Sequence, residues 1–346
     1  MTHKTTRISG YKQILVNPKF RCLIPDYSIK LQNFASEIAH SITQKQKHIH
    51  PKFLYNDKGS KLFEKICELP EYYLTRTEIS ILSRLTSELS KYLKEHYRLV
   101  EFGSGSSTKT RKILDILCQS QEEVEYFSID ISNTIKESSR SLLQQYDNLY
   151  ITGIIDRYEK GLEFIQTFDE QKKLIIFLGS SFGNFDADSG RDFLEKIHST
   201  MNDNDFFLIG LDLVKDKKIL ESAYDDSQHI TADFNLNLLS RINEELGANF
   251  ILQNFEHYAV FNEKKSRMEM YLRSKTEQKV HISDLDLSLD FKKGELIHTE
   301  NSYKYSISQI EQLADEVGFK ITKLWQDENH HFAVVLLSKA KLPQHI

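Results

Sequence analysis

The residues best suited to chemistry gather at Glu101-Phe102-Gly103-Ser104-Gly105-Ser106-Ser107, where an apolar run starting at Arg98 meets two glycines and small hydroxyl side chains. Glycine lets a backbone turn tightly and approach a ligand where any Cβ would collide. The third glycine of the dinucleotide fingerprint is missing, because Thr108 stands in its place, and one signature of pyrophosphate binding goes with it. Glu101 would repel a pyrophosphate but can accept from a ligand ammonium. The next strand candidate, Tyr126-Phe127-Ser128-Ile129-Asp130, also ends in an acid, placed to accept from both hydroxyls of a ribose. Lys109 falls in the first turn of the following helix, against the dipole preference. A ligand carboxylate is one reason for it, and plain solvation the other.

These residues need elements to hold them. The segment from Arg98 reads as strand, glycine turn and an amphipathic helix, Thr108 to Leu117. Buried strands are predicted at Glu125 to Ile129, Leu174 to Leu178 and Asp205 to Leu211, with helices at Ser132 to Tyr146 and Asp188 to Asn202. Such alternation argues for a parallel, doubly wound sheet. Helical spacing also marks Ile29 to Lys47 and Thr75 to Lys94, the second opening with a capping-box pattern, Thr75-x-x-Glu78. After Asp212 the rhythm breaks into a helix, Ile230 to Leu246, and alternating segments at His257 to Phe261, Arg267 to Leu272 and Glu295 to Tyr303. A helix from Ser306 to Val317 and strands at Lys320 to Trp325 and Phe332 to Leu337 end the pattern. The loop between those strands, with Asp327 and Asn329, is short enough to require an antiparallel pair. A mainly parallel sheet closed by an antiparallel hairpin resembles the class I, Rossmann-like methyltransferases more than nicotinamide dehydrogenases.

Composition narrows the partners. Across 346 residues, 40% apolar and 27% charged, a net charge of -5 with both signs interspersed leaves no basic stripe for nucleic acid. Cys22, Cys67 and Cys118 form no C-x-x-C pair and suit a reducing compartment. No run approaches membrane-spanning length and no apolar secretion core is seen, so a cytoplasmic monomer is expected. His48-Ile49-His50 and His330-His331 lack a third ligand at recognisable spacing, and no metal site is expected.

Phe53-Leu54-Tyr55-Asn56-Asp57-Lys58-Gly59-Ser60-x-Leu62-Phe63 and Leu69-Pro70-Glu71-Tyr72-Tyr73-x-Thr75-Arg76-Thr77-Glu78 resemble the histidine-specific Nα-methyltransferases of ergothioneine biosynthesis. The resemblance continues through Glu101 to Arg111, Phe177-Leu178-Gly179-Ser180-Ser181-x-Gly183-Asn184, Gly210-x-Asp212-Leu213-x-Lys215-Asp216 and Ala223-Tyr224-Asp225-Asp226. It also takes in Thr231-Ala232-x-Phe234-Asn235-x-Asn237, Glu244-Glu245-Leu246-Gly247-Ala248, Glu269-Met270 and Thr299-Glu300-x-Ser302. It implies an S-adenosylmethionine-dependent enzyme with a methyltransferase domain, 78–213 and 304–346, an α+β substrate domain, 25–77 and 214–303, and an extension, 1–24. By position, Tyr55, Gly103, Gly105, Lys109, Asp130 and Glu101 would line the cofactor site. Tyr72, Gly179, Asn184 and Tyr224 would hold the amino acid backbone, with Asn184, Tyr72 and Tyr224 as the catalytic set. Met270, Glu300 and Ser302 would surround the side chain.

Residue chemistry supports part of this. Glu300 and Ser302 stand two apart in a strand candidate and so point to one face, where a carboxylate and a hydroxyl match the two nitrogens of an imidazole. Asn184, at a strand's end, lies at the crevice position of an open α/β sheet, and its amide can donate to a carboxylate and accept from an amine. Where bacterial relatives place Gly-Asp-Phe around the adenine, this chain reads Gly153-Ile154-Ile155-Asp156-Arg157-Tyr158-Glu159, leaving Tyr158 with Asp156 or Glu159 as candidates. The implied reaction is methylation of the α-amino group of histidine to the trimethyl betaine, with no carboxylate base beside the amine. The alternatives are N-methylation of another aromatic amino acid and, from a different class, a regulatory protein that binds the cofactor without turnover.

Overall fold

The computed structural model describes residues 11–25, 27–167 and 170–340. Residues 1–10, 26, 168–169 and 341–346, which fall within the ranges drawn above for the extension and the two domains, lie outside that description. The chain opens with strands β1 (Tyr11–Asn17) and β2 (Phe20–Pro25), then helices α1 (Tyr27–Ile42), α2 (Asp57–Glu68) and α3 (Tyr73–Leu89). The βα alternation follows: β3 (Arg98–Phe102), α4 (Thr110–Ser120), β4 (Val124–Asp130), α5 (Ile135–Gln145), β5 (Leu149–Ile155), α6 (Tyr158–Ile165), β6 (Lys173–Phe177), α7 (Ala187–Thr200) and β7 (Phe206–Asp212). Next come α8 (Lys217–Tyr224), α9 (Ile230–Leu246), β8 (Phe255–Asn262), β9 (Arg267–Ser274), β10 (Gln278–Ile282), β11 (Leu287–Phe291) and β12 (Leu296–Tyr303). The described chain ends with α10 (Ile307–Val317), β13 (Phe319–Gln326) and β14 (Phe332–Lys339).

Nine strands form one sheet in the order β1-β2-β5-β4-β3-β6-β7-β14-β13. From β2 to β7 the neighbours are parallel, and β3, β4 and β6 are almost wholly buried, which is why they read as continuous apolar runs. β14 lies antiparallel between β7 and β13, so the closing hairpin expected from the short loop is present. A separate antiparallel sheet, β12-β9-β8, and a hairpin, β10-β11, carry the late α+β segment. This is the class I methyltransferase architecture with a smaller α+β part beside it.

The structure departs from the sequence expectations in four places. Residues 11–25 are no extension: β2 pairs in parallel with β5, and Phe20 and Cys22 are fully buried. β5 itself was unforeseen; its Gly153 sits where a Cβ would lie 3.3 Å from Ile135 and 3.4 Å from Phe20, so the gap in apolar pattern is what lets its neighbours close in. The β10-β11 hairpin was also unread. Finally, α3 begins at Tyr73 with no side-chain cap, so Thr75 and Glu78 make no capping box, and a boundary at 78 would cut this helix. Glu78 is instead fully buried, which excludes a surface capping role.

Candidate active site

At the end of β3 the chain turns through Gly103 and Gly105, both with positive φ, where an L side chain would be strained. Gly103 also lies close under Tyr158, whose hydroxyl would be 3.1 Å from a Cβ there. Around Gly105 a Cβ would meet nothing within 4 Å, so the turn borders open space. Asp130 fixes this turn: its carboxylate accepts from the Gly105 amide at 3.0 Å and from the Ser132 amide at 2.9 Å. Tyr158, half-buried on the first turn of α6, sets its ring edge-on to Phe102 and Phe177 and makes an apolar wall.

Glu101 turns inward. Both its oxygens accept from Thr110 Oγ1, at 3.0 and 2.8 Å, and one from the Tyr126 hydroxyl at 2.5 Å, so its partners lie beneath the turn. The ligand ammonium expected for it finds no support in this geometry. Burial pushes its carboxyl up to about 7 despite those hydrogen bonds.

Glu78 is the hub between this turn and the next one. Its oxygens accept from the Gly179 amide at 3.0 and 2.9 Å, and it pairs with Lys109 Nζ at 2.7 Å. Gly179 has φ +86, and a Cβ on it would stand 3.0 Å from the same ammonium. Only one of the three Lys109 hydrogens faces Glu78, which leaves two for a ligand carboxylate.

Beyond Gly179, Ser181–Asn184 forms a 3-10 turn. A Cβ on Gly183 would come within 2.9 Å of the Tyr303 carbonyl and 3.4 Å of Ser302 Oγ, so this turn packs directly on β12. There Glu300 and Ser302 share a face with regular pairing to Met270 and Met268 on β9; the one irregularity falls earlier, between His298 and Glu300. Tyr55 is placed by a tight bend in which the Gly59 position would clash with Leu54 O at 1.7 Å, and by Asn56, which caps α2 on the Gly59 amide at 2.8 Å. Tyr55, Phe63, Phe234, Tyr72 and Tyr224 meet edge to face at 5.4 to 6.3 Å between ring centres, forming an aromatic wall.

A polar network lies behind that wall. Lys304 pairs with Asp212 at 2.7 Å and donates to the Tyr224 hydroxyl and Ser302 Oγ, both at 2.9 Å. Tyr224 donates to Ser302 Oγ at 2.7 Å. On the far side Tyr73 donates to Asp212 at 2.9 and 2.7 Å, and Lys215 pairs with Asp212 at 2.5 Å. Burial alone would raise the Asp212 carboxyl, yet Lys304 and Lys215 hold it below the usual range; burial draws Lys215 down to about 8. The Asp212 amide donates to Ser180 Oγ at 3.1 Å, which ties the network to the loop after β6.

Against this engaged background, the Tyr55, Tyr72 and Tyr158 hydroxyls, the Asn184 amide and the Glu300 carboxylate have no protein hydrogen bond among the described residues, and the buried Ser107 and Thr299 hydroxyls nearby have none either. Glu300 is 7% exposed, and burial raises its carboxyl to about 7, with Lys304 opposing. An unpartnered carboxylate at this depth is costly unless a ligand supplies the partner.

Residues 34–339 match the family described as "Histidine-specific methyltransferase, SAM-dependent". The chain belongs to that family. It is 35% identical over 301 residues to the histidine N-alpha-methyltransferase of Mycolicibacterium smegmatis, covering 87% of this chain and 93% of that one. Identity to the protein of the same name from Mycobacterium tuberculosis is 34% over 304 residues, covering 88% and 94%. With ergothioneine biosynthesis protein 1 of Neurospora crassa it is 29% over 295 residues, 84% of this chain but 33% of that longer protein.

For this methyltransferase, S-adenosylmethionine is the cofactor to test against the site, and the residues present suit it. The open space at Gly105, the fixed Asp130, the free hydrogens of Lys109 and the wall at Tyr158 stand around one turn. Of the two acidic adenine candidates, Asp156 and Glu159, Asp156 is already hydrogen-bonded by the Tyr11 hydroxyl and the Arg157 amide. Of the substrate residues named from sequence, Tyr72, Tyr224, Met270, Glu300 and Ser302 come together, with Asn184 on the adjoining turn. Sequence reasoning missed Glu78, Tyr73, Lys215 and Lys304 as site residues. A signal existed for Lys304, which continues the period-two rank begun by Glu300 and Ser302.

Proposed function

We propose that this chain methylates the α-amino group of L-histidine with S-adenosylmethionine, three times in succession, to the betaine. The observation that carries the choice of substrate is Glu300: a buried, unpartnered carboxylate beside Ser302 on one strand face, suited to an imidazole and to no purely apolar ring. Asn184, Tyr72 and Tyr55 bring polar groups with no protein partner to the same cleft, and these hold the carboxylate and amine of the amino acid. Asp130, Gly103, Gly105 and Lys109 hold the cofactor, with Tyr158 against its adenine.

When bound, S-adenosylmethionine supplies a methyl carbon on a sulfonium, open to in-line attack by an amine lone pair. The protein's share is positioning and exclusion of water. Apart from Glu300, which this reading assigns to the ring, the carboxylates nearest the cleft are committed elsewhere: Glu78 to Lys109 and Gly179, Asp212 to Lys304 and Lys215. Neither is placed to keep the substrate ammonium protonated. In this reading the nine-stranded sheet carries the cofactor while α2, α8, α9 and the three-stranded sheet carry the amino acid.

No described helix is long and apolar enough to cross a membrane, and the substrate is a small molecule. A cytoplasmic setting is supported by three free cysteines, and action as a single chain by a site drawn entirely from one copy. The test is mass spectrometry of products after incubation with S-adenosylmethionine and the standard amino acids together. Trimethylated histidine is expected. Another methylated aromatic amino acid would overturn the choice of substrate, and cofactor binding without any product would leave only a binding role.

A further inference from the structure

Lys304, just past the end of β12, has no exposed side-chain surface. An ammonium has three hydrogens and no lone pair, so it can only donate. Its three hydrogens go to Asp212, to the Tyr224 hydroxyl and to Ser302 Oγ. The neighbouring donors are equally committed. Lys215 donates to Asp212, Tyr73 and the Leu213 carbonyl; Tyr73 donates to Asp212; Tyr224 donates to Ser302. A serine hydroxyl has two lone pairs and one hydrogen. In Ser302 both lone pairs are taken, by Lys304 at 2.9 Å and Tyr224 at 2.7 Å. Among the described residues, the Ser302 and Ser180 hydroxyls of this network accept hydrogen bonds without an assigned acceptor for their own hydrogens, and Ser302 is the one that shares a strand face with Glu300.

We propose that Lys304 is a positioning residue that fixes Ser302 as a donor, so that the side-chain pocket offers one donor, Ser302, and one acceptor, Glu300. This rests on the reading of histidine as substrate. A ring that fills such a pocket must present one N–H and one bare nitrogen, which a neutral imidazole does and an imidazolium, indole, pyrrole or phenyl ring does not. Without Lys304 the hydroxyl regains a lone pair and can accept as readily as donate, and the preference for a bare ring nitrogen is lost. Lys304 acts through Ser302 and Tyr224, and need touch neither substrate nor cofactor to do so.

The probe is an alanine carrying a pyrrole ring, in its 2- and 3-linked isomers so that either nitrogen position is covered. Pyrrole keeps the N–H and replaces the bare nitrogen by C–H. In the native enzyme histidine should be preferred over the better isomer by about tenfold or more in kcat/KM, the penalty for leaving a buried hydroxyl unpaired. In Lys304→Met that preference should shrink to about twofold or less, mostly through KM for histidine. Ser302→Ala should do the same, and combining the two should add nothing. Lys304→Gln, which keeps N–H donors at that place, should retain most of the preference. A residue that merely supported the fold would lower turnover of both substrates alike. Calorimetric binding of S-adenosylhomocysteine reports whether each variant is folded, and Asp212 retains Lys215 and Tyr73 when Lys304 is removed.

Should Lys304→Met fail to bind the product cofactor, Ser302→Ala in the native background decides: a ratio unchanged from the native enzyme overturns the proposal. An unchanged ratio in a folded Lys304→Met overturns it as well, as do multiplying effects in the double variant. If the native enzyme leaves histidine unmethylated, the choice of substrate fails instead, and the two failures are told apart by the native control.

Discussion

On the reading proposed above, Glu300 exchanges stability for recognition, and the exchange can be measured. Its carboxyl titrates near 7 in the fold against an ordinary value of 4.5, because burial disfavours the charge. The folded state therefore binds its proton more tightly than the unfolded chain does. Stability from this group is full below pH 4.5, is lost as pH rises toward 7, and stays lost above it, about 3 kcal/mol in all. Glu300→Gln should accordingly raise the melting temperature of the ligand-free protein at pH 8, with the gain vanishing below pH 4.5, while histidine turnover falls on the order of a hundredfold. Histidine binding by the native protein should weaken as pH drops through about 7, since the carboxylate proposed to receive the ring N–H becomes protonated. At this scale the face shared by Glu300 and Ser302 was legible, because side-chain direction in a strand follows a period of two. Lys304 continues that period, but its burial was not legible, because a lone lysine is ordinarily solvated and only its distant partners, Asp212 and Tyr224, reveal that it is buried. Glu101 shows the reverse: a strand-end acid suggests a ligand, but Thr110 and Tyr126 had already claimed it.

Between elements, two glycines give predictions that reach the cofactor side by different routes. A Cβ on Gly210 of β7 would stand 1.9 Å from Glu78 Oε1, so Gly210→Ala must push Glu78 out of its place on α3. Lys109 and the Gly179 amide then lose their partner together. Unfolding in urea should show a loss of about 1–3 kcal/mol, and calorimetry a weaker affinity for S-adenosylhomocysteine. Gly105→Ala meets open space, so its stability penalty is confined to a left-handed backbone, about 1–2 kcal/mol, but the methyl enters the cofactor cradle. Affinity for S-adenosylhomocysteine should drop about tenfold or more in that variant. Strands β3, β4, β6 and β7 and helices α4, α5 and α7 could be read from periodicity, since each buries one face or two in a repeating way. The start of α3 could not: Thr75 and Glu78 have capping spacing, but a contact across the fold with Gly179 took the glutamate.

For the molecule as a whole, the sheet's far side depends on residues 11–25. Phe20 pairs with Ile151 and Cys22 with Gly153, partners that no local pattern announces. Removal of residues 1–25 should uncover the edge of β5 and the apolar surface under Phe20, giving a protein that aggregates in size-exclusion chromatography instead of one that merely loses affinity. The Tyr11 hydroxyl, bonded to Asp156, ties that hairpin to the segment leading into Tyr158, so the loss would also reach the cofactor side.

The order of strands has a consequence for synthesis. Of the described strands β14 comes latest in the chain yet is slotted between β7 and β13, while the β1-β2 pair waits only for β5 before it can dock. A nascent chain can therefore close the β5 flank early but exposes the β7 edge until β14 has left the ribosome. Prematurely terminated products cannot settle into a working fragment, and cellular quality control should clear them.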